Sequence, residues 1–546
     1  MSYITHEVTN QVPELVDYNL YLTDKPLQEG VAREGAQWHT ASLTDYGAQL
    51  GLKETAMLAH DANRYRPEFD AFDRWGKRVD RVSFHPAWHH FMRLAFAQGM
   101  GSSAWSDPKP GAQVARAAAY LLHGQIEAGS LCPLTMTSAA IPVLQKELLF
   151  ESIRPQLYSL QYDERDRPCA EKTGMMIGMG MTEKQGGSDL RTNMTHALPI
   201  GAGGRGGAYR LVGHKWFFSS PMSDAHLVLA RHEEQFSCFY VPRWHPDGHK
   251  NAVYIQRIKN KMGNVSNSSV EVEFKDASAV LVGEVGHGIA TLVKMASHTR
   301  LDCVLGSAAL MRQALVQALH HARHRVAFGQ PLIQHALMRS VLVDIALESE
   351  PATALALRLA RAFDDPDDLL SRAYRRILTP AAKFWVCKRA VDVTAECMEV
   401  WGGNGYIEDG PMPRLYREAP VNSIWEGSGN IMCLDVLRAL KRHPELADAM
   451  AKDLLQDSAD EPLLAAGARQ LLAMLSNPDT VQVPAARYLA QDLVLLVQAN
   501  LLRRHAPQMV ADGFIQSRFA GRGGRVFGVA TAKPATTAVL ARAWQE

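Results

Sequence analysis

Three features of the sequence predict an α+β chain, mainly α, with one β domain set between helical segments. Before about residue 175 and after about residue 286, apolar residues recur at helical spacing. Between those limits the period shortens to two, and Gly, Asp, Asn and Pro punctuate short β-prone runs. The chain is 546 residues long, more than one hydrophobic core usually holds, so two to four domains are expected.

Taken in order, residues 1–175 read as an N-terminal helical domain with polar linkers; the Ala-rich run 112–131 is periodic as a helix requires. Residues 176–285 read as a β-barrel domain. Ser269-Val270-Glu271-Val272-Glu273-Phe274 alternates strictly, and 209–218, 227–230 and 238–241 are further strands. Residues 286–440 return to long helical patterns (305–325, 337–363, 373–400) with wide apolar faces, as in a bundle. Residues 441–546 form an extra C-terminal helical domain that ends in a Gly/Arg-rich stretch. No internal repeat is evident.

Bulk composition excludes several classes. With 47% hydrophobic and 21% charged residues the chain is globular, and a net charge of +1 creates no overall field for nucleic acid or membrane. Seven cysteines without a CxxC pair leave neither a disulfide framework nor a zinc site in view, so no metal is expected. The first residues carry no basic-then-apolar leader, and no apolar window reaches about 18–20 residues, so a cytoplasmic protein with no membrane role is expected.

Two segments carry chemistry. Ser423-Ile424-Trp425-Glu426-Gly427-Ser428-Gly429-Asn430 sets one carboxylate beside an aromatic ring at a Gly-broken turn where a helix can begin. Abstraction of a proton next to a thioester carbonyl needs such a base, and walls of Trp425 and a flat cofactor would desolvate it and raise its basicity. Taken alone, Glu426 equally fits a helix N-terminal carboxylate facing the dipole. The second segment, Gly180-Met181-Thr182-Glu183-Lys184-Gln185-Gly186-Gly187-Ser188-Asp189, offers hydroxyls on Thr182 and Ser188 and glycines that let backbone approach a ligand. In Lys215-Trp216-Phe217-Phe218-Ser219, rings and a hydroxyl could wall a flavin, or form an aromatic core strand. Gly201 to Gly206 satisfies G-x-G-x-x-G, but the β-prone run 209–218 follows it where a dinucleotide fold needs a helix, and it reads as a hairpin connection. His320, His321 and His324 lack acidic or Cys companions and read as a solvated helix face.

Over residues 150–440 these motifs resemble the acyl-CoA dehydrogenase family. The match rests on G-M-T-E-x-x-G-G-S-D and on Glu399-Val400-Trp401-Gly402-Gly403-Asn404-Gly405-Tyr406, continued through Asp409, Arg414 and Glu418. The resemblance implies an N-terminal helical domain, a central β-barrel and a C-terminal four-helix bundle around FAD, assembled as a homotetramer. It makes Glu426 the catalytic base. It places Met179, Met181, Thr182, Gly187, Ser188, Phe217, Phe218, Ser219, Trp425, Gly427, Gly429 and Asn430 at the cofactor. Arg325 and Phe328 match the R-x-x-F-G turn, whose arginine reaches the cofactor pyrophosphate of a neighbouring subunit. Some relatives carry the base on an earlier helix, just before an arginine; the pair there is Thr299-Arg300, without a carboxylate. The family pattern has Trp where Phe217 stands, Thr where Ser219 stands, and a smaller residue where Thr192 stands, departures that bear on acyl-CoA binding more than on flavin binding.

The whole chain is more similar still to one branch, the AidB-like proteins of the bacterial adaptive response to DNA alkylation. Gly129-Ser130-Leu131-Cys132-Pro133-Leu134-Thr135-Met136-Thr137, the 420–438 segment and the extra C-terminal domain carry that likeness. It implies double-stranded DNA as a partner, bound without sequence preference, and weak dehydrogenation of a short branched acyl-CoA. An ordinary catabolic dehydrogenase with no DNA role is the alternative. From residue 481 onward, eight basic residues stand against Asp492, Asp512 and Glu546, a local excess that can release counterions from phosphates. Arg438, Arg503, Arg504, Arg518, Arg522 and Arg525 are the expected DNA contacts.

Overall fold

In the computed structural model, residues 4–520, 526–529 and 535–545 are described. The chain divides into two compact units: one holds residues 57–302 and 426–428, the other residues 1–56, 303–425 and 429–546.

The first unit is built on a barrel. A hairpin of β1 (Glu68–Phe72) and β2 (Arg78–Ser83) comes first. The sequence predicts only helices and polar linkers here. β1 has no buried position and β2 only Asp80 and Val82, so neither shows the buried apolar face that marks a strand. Then follow β3 (Ile177–Gly180), β4 (His196–Ile200), β5 (Ala208–Ser219), β6 (Ala225–His232), β7 (Gln235–Pro242), β8 (Val253–Ile258) and β9 (Ser269–Val282). They form a seven-stranded sheet in the order β3-β6-β4-β5-β9-β7, with β8 on β9, and β7 returns to pair with β6 so that the sheet closes. Gly201 to Gly207 is the β4–β5 hairpin connection, as expected.

Strand period explains the two cores of this unit. Val228 and Ala230 of β6 point into the barrel with Phe239, Val270, Val272 and Phe274, while the alternating Leu227 and Leu229 pack outward with Ile141, Leu144, Phe150, Leu292 and Met295. The run 227–230 is continuously apolar because both of its faces are covered. The helices Ala112–Ile126 and Leu131–Leu144 replace the single predicted helix over 112–131. The chain breaks at 127–130 because the Glu127 carboxylate accepts the Gly129 and Ser130 amides at 3.1 and 2.7 Å, a local alternative to continued helix.

The second unit is helical. Ala336–Asp364, Thr379–Val400 and Ala486–His505 pack together, joined by Gly429–Arg442, Pro444–Ser458, Pro462–Ser476, Gln508–Phe519 and Thr536–Ala543. The predicted 305–325 helix is the end of one long helix, Gly288–His324, whose earlier part belongs to the first unit. His320 and His321, expected to be solvated, are 6% and 3% exposed. His320 Nε2–H donates to the Pro13 carbonyl at 2.8 Å, and His321 stacks on Trp401 with ring centroids 4.9 Å apart. Both covers are distant in sequence, which is why helical periodicity misplaced these two histidines; His324 is exposed, as expected. Among the described residues no helix is long and apolar enough to cross a membrane.

Candidate active site

Strand β3 delivers the 181–189 loop, and its glycines set how closely it lies on the barrel. A Cβ on Gly178 would fall 2.2 Å from the His226 ring, and one on Gly180 would fall 2.8 Å from the Phe218 ring. The loop is anchored by Glu183, which is buried with Lys215. Its carboxylate accepts the Lys215 ammonium at 2.7 Å, the Met194 and Thr195 amides at 2.7 and 3.1 Å, and the Gln185 amide. Burial opposes the charge on Glu183, but the Lys215 ammonium and these donors together outweigh it and hold the carboxyl down to about 2. The Trp216 amide donates to the Thr182 carbonyl at 2.9 Å, and the Asn193 side chain donates to the Met181 carbonyl at 2.7 Å. Gly187 faces Thr182 so closely that a Cβ would stand 2.7 Å from its hydroxyl. Met179 and Met181 are partly buried against the outer core, and Ser188 is exposed.

A bulge in β5 between Lys215 and Phe218 lets both of those residues point inward although three positions separate them, and leaves Trp216 and Phe217 between them. Phe217 is half exposed. Phe218, expected to wall a cofactor, is instead 2% exposed and stacked on His226 at 3.8 Å: it backs the site from the barrel interior. The Ser219 hydroxyl shares a hydrogen bond with Ser269 at 3.0 Å. A loop with free hydroxyls, glycine-enforced close approach and a half-exposed ring on the adjoining strand suits a flat, polar group.

Glu426 belongs to this same unit. It follows the helix Met412–Ile424 at a turn where Glu426 has φ 59° and Gly427 φ 101°. For glutamate the left-handed conformation is unfavourable, so the surroundings must impose it. Two neighbours on the long helix do so. Thr299 Oγ1 donates to Glu426 Oε2 at 2.6 Å, and Arg300 Nε donates to the Glu426 carbonyl at 3.2 Å. Burial first, and the Glu426 charge besides, push the Cys132 thiol up to about 11, against the opposing effect of Lys261; these groups share one electrostatic neighbourhood. One carboxylate, one oxygen of which is fixed by a hydroxyl, is equipped to take a proton on the other. Neither Thr299 nor Cys132 was among the expected site residues. The Thr299-Arg300 pair was visible in the sequence only as a place where a carboxylate is missing.

The remaining expected cofactor residues fall in the other compact unit. Arg325 donates through Nη1 to the Asn10 carbonyl, and Phe328, with φ 51° before Gly329 at φ 82°, is almost fully exposed on the turn between Val326–Ala327 and Gln330–Pro331. Trp425 is half-buried, its carbonyl accepting Lys383 Nζ at 2.6 Å and its indole donating to Asn422 at 3.1 Å. Gly429 is buried against Phe384 and Lys388, while the exposed Asn430 accepts Arg487 Nε at 2.8 Å.

The expected DNA contacts separate into four groups. Arg438 is exposed. Arg503 is paired with Asp460 at 2.9 Å, and Arg504 with Asp453 at 3.0 Å and with Asp457. Arg518 is partly buried and pairs with the buried Asp344 and Glu348 at 2.6 and 2.8 Å, so its charge is taken up by the protein itself. Arg542 likewise meets Glu29 and Glu350. All of these acids precede residue 481, which is why a charge count over 481–546 overstates the free positive surface. Arg522 and Arg525 lie outside the described residues.

Comparison with known proteins agrees with this architecture. Family models match residues 10–164 (adaptive response protein AidB, N-terminal domain), 178–277 (acyl-CoA dehydrogenase, middle domain) and 286–441 (acyl-CoA dehydrogenase, C-terminal domain). AidB of Escherichia coli is 47% identical over 96% of both chains. Acyl-CoA dehydrogenase family member 11 of Caenorhabditis elegans is 29% identical over 76% of this chain and 69% of that one. The crystal structure of C. elegans ACDH-11 in complex with C11-CoA superposes with a TM-score of 0.83 at 25% identity, over 99% of this chain and 94% of the other.

Proposed function

Because the chain belongs to the acyl-CoA dehydrogenase family, an FAD-dependent class of oxidoreductase, and to its AidB branch, we propose that it dehydrogenates an acyl thioester with Glu426 as the base. The observation that carries this reading is the Glu426 carboxylate on its imposed turn, one oxygen held at 2.6 Å by Thr299. The α-proton of the thioester passes to the free carboxylate oxygen, the β-hydrogen leaves as hydride, and a Cα=Cβ double bond forms. FAD, when bound, supplies the hydride acceptor. Thr182, Ser188, Gly187 and the half-exposed Phe217 are the residues of this unit that would hold it, and Glu183 with Lys215 keeps their loop in place. By family correspondence, in a homotetramer, Gly427 of this unit and Arg325, Phe328, Trp425, Gly429 and Asn430 of the other unit are each proposed as cofactor residues. Exchange of α-deuterium from a bound acyl-CoA into solvent tests the assignment: the wild type exchanges and Glu426→Gln does not, whereas equal exchange by both removes the base.

Membership of the AidB branch supports a finer reading: weak activity on short branched acyl-CoA, with sequence-independent binding of double-stranded DNA in the response to alkylation. On this reading Arg438, Arg522 and Arg525 carry the phosphate contacts, because Arg503, Arg504 and Arg518 are engaged by acids. That engagement is also the specific observation favouring the second reading, a catabolic dehydrogenase without a DNA role. A salt series with fluorescent duplex separates the two. Affinity that falls steeply with salt and drops in the Arg522→Ala/Arg525→Ala variant supports the DNA role; no binding at low salt supports the catabolic one.

A further inference from the structure

Thr299 lies on the Gly288–His324 helix and is 1% exposed. Its hydroxyl has one proton and two acceptors in reach: Glu426 Oε2 at 2.6 Å, and the carbonyl of Ala296, one turn back, at 3.3 Å. A carboxylate is the stronger acceptor, and 2.6 Å is the length of a charge-assisted O–H···O⁻ bond, so the proton points to Glu426 while that side chain is ionised. Once Glu426 carries a proton on Oε2, the roles reverse. The acid donates to Thr299 Oγ1, and the threonine proton swings to the Ala296 carbonyl. The hydroxyl is thus satisfied in both protonation states without moving a heavy atom. Arg300, the next residue, holds the Glu426 backbone from the same helix.

We propose that Thr299 is the positioning residue for Glu426: a two-state hydroxyl that fixes one carboxylate oxygen and turns the other to the substrate. This rests on the reading of Glu426 as the base. Some relatives carry the base at the Thr299 position itself; here that position grips the base instead. Lys261 and Cys132, from the loop after β8 and from the Leu131–Leu144 helix, are the further titratable groups in this neighbourhood, and both are kept intact in the test.

The experiment measures kcat and KM against pH for the FAD-loaded, full-length protein with an acyl-CoA it turns over. It compares the wild type with Thr299→Val, Thr299→Ala, Thr299→Ser and Glu426→Gln. Loss of orientation lowers kcat about tenfold with KM nearly unchanged in Thr299→Val and Thr299→Ala, and Thr299→Ser restores kcat. If Thr299→Val fails to retain flavin, Thr299→Ala is read the same way. An unchanged kcat in a flavin-loaded variant, a loss carried by KM instead of kcat, or a rate loss not rescued by serine overturns the inference while leaving the base assignment standing. Activity persisting in Glu426→Gln overturns both.

Discussion

At the scale of single residues, the site depends on a few charges held where water would not leave them. Glu426→Gln keeps the side-chain volume and removes the proton acceptor; we expect kcat to fall about 10²–10⁴-fold with flavin still bound, checked by steady-state rates alongside flavin content. Glu183 gives a pH signature. Its carboxyl sits at about 2 in the folded chain against an ordinary 4.5, so the unfolded chain takes up the proton first as pH falls. The contribution of the ion pair is therefore full above about pH 4.5 and lost between there and about 2. Glu183→Gln should flatten the stability-against-pH curve in that window. At neutral pH it should cost about 3–5 kcal/mol, because Lys215 is left buried and unpaired, and chemical denaturation at several pH values reads both effects. In the sequence, Glu426 was legible from its Trp-Glu-Gly-Ser-Gly context, and Glu183 was visible only as one letter of a motif. Its partner lies 32 positions away in β5, a distance that no local pattern spans.

At the scale of elements, the loop after β3 works because two glycines let it lie close and a third admits Thr182. Gly187→Ala would bring a methyl to 2.7 Å from the Thr182 hydroxyl, so the hydroxyl must turn away. We expect purified Gly187→Ala to retain less flavin than the wild type at unchanged secondary structure, measured by the ratio of flavin to protein absorbance. The strand pattern over 269–274 and the helical stretches 305–325 and 337–363 could be read from period alone, because each buries a face in step with its own geometry. Phe218 and the β1–β2 hairpin could not. A one-residue bulge shifts the inward phase of β5, and β1–β2 covers too little apolar surface to announce itself. His320 and His321 of the long helix fail for a related reason: the segment around Pro13 and the Trp401 ring cover them from elsewhere in the chain.

At the scale of the whole molecule, formal charge and usable charge differ. The basic C-terminal region is counterbalanced by acids drawn from three earlier helices, and Arg518 is the deepest case. Arg518→Ala should cost about 3–5 kcal/mol by stranding Asp344 in the core, seen as a lowered Tm, whereas Arg438→Ala should leave Tm within about a degree. A DNA-binding defect in Arg518→Ala alone would therefore report lost stability and not a lost phosphate contact. The central claim, that Glu426 and FAD together dehydrogenate an acyl thioester, is tested most directly by anaerobic mixing of the flavin-loaded protein with straight and short branched acyl-CoA. Bleaching of the oxidised flavin band in the wild type and its persistence in Glu426→Gln is the predicted result. A flavin that dithionite reduces but no acyl-CoA bleaches, or that bleaches equally in both proteins, would contradict it.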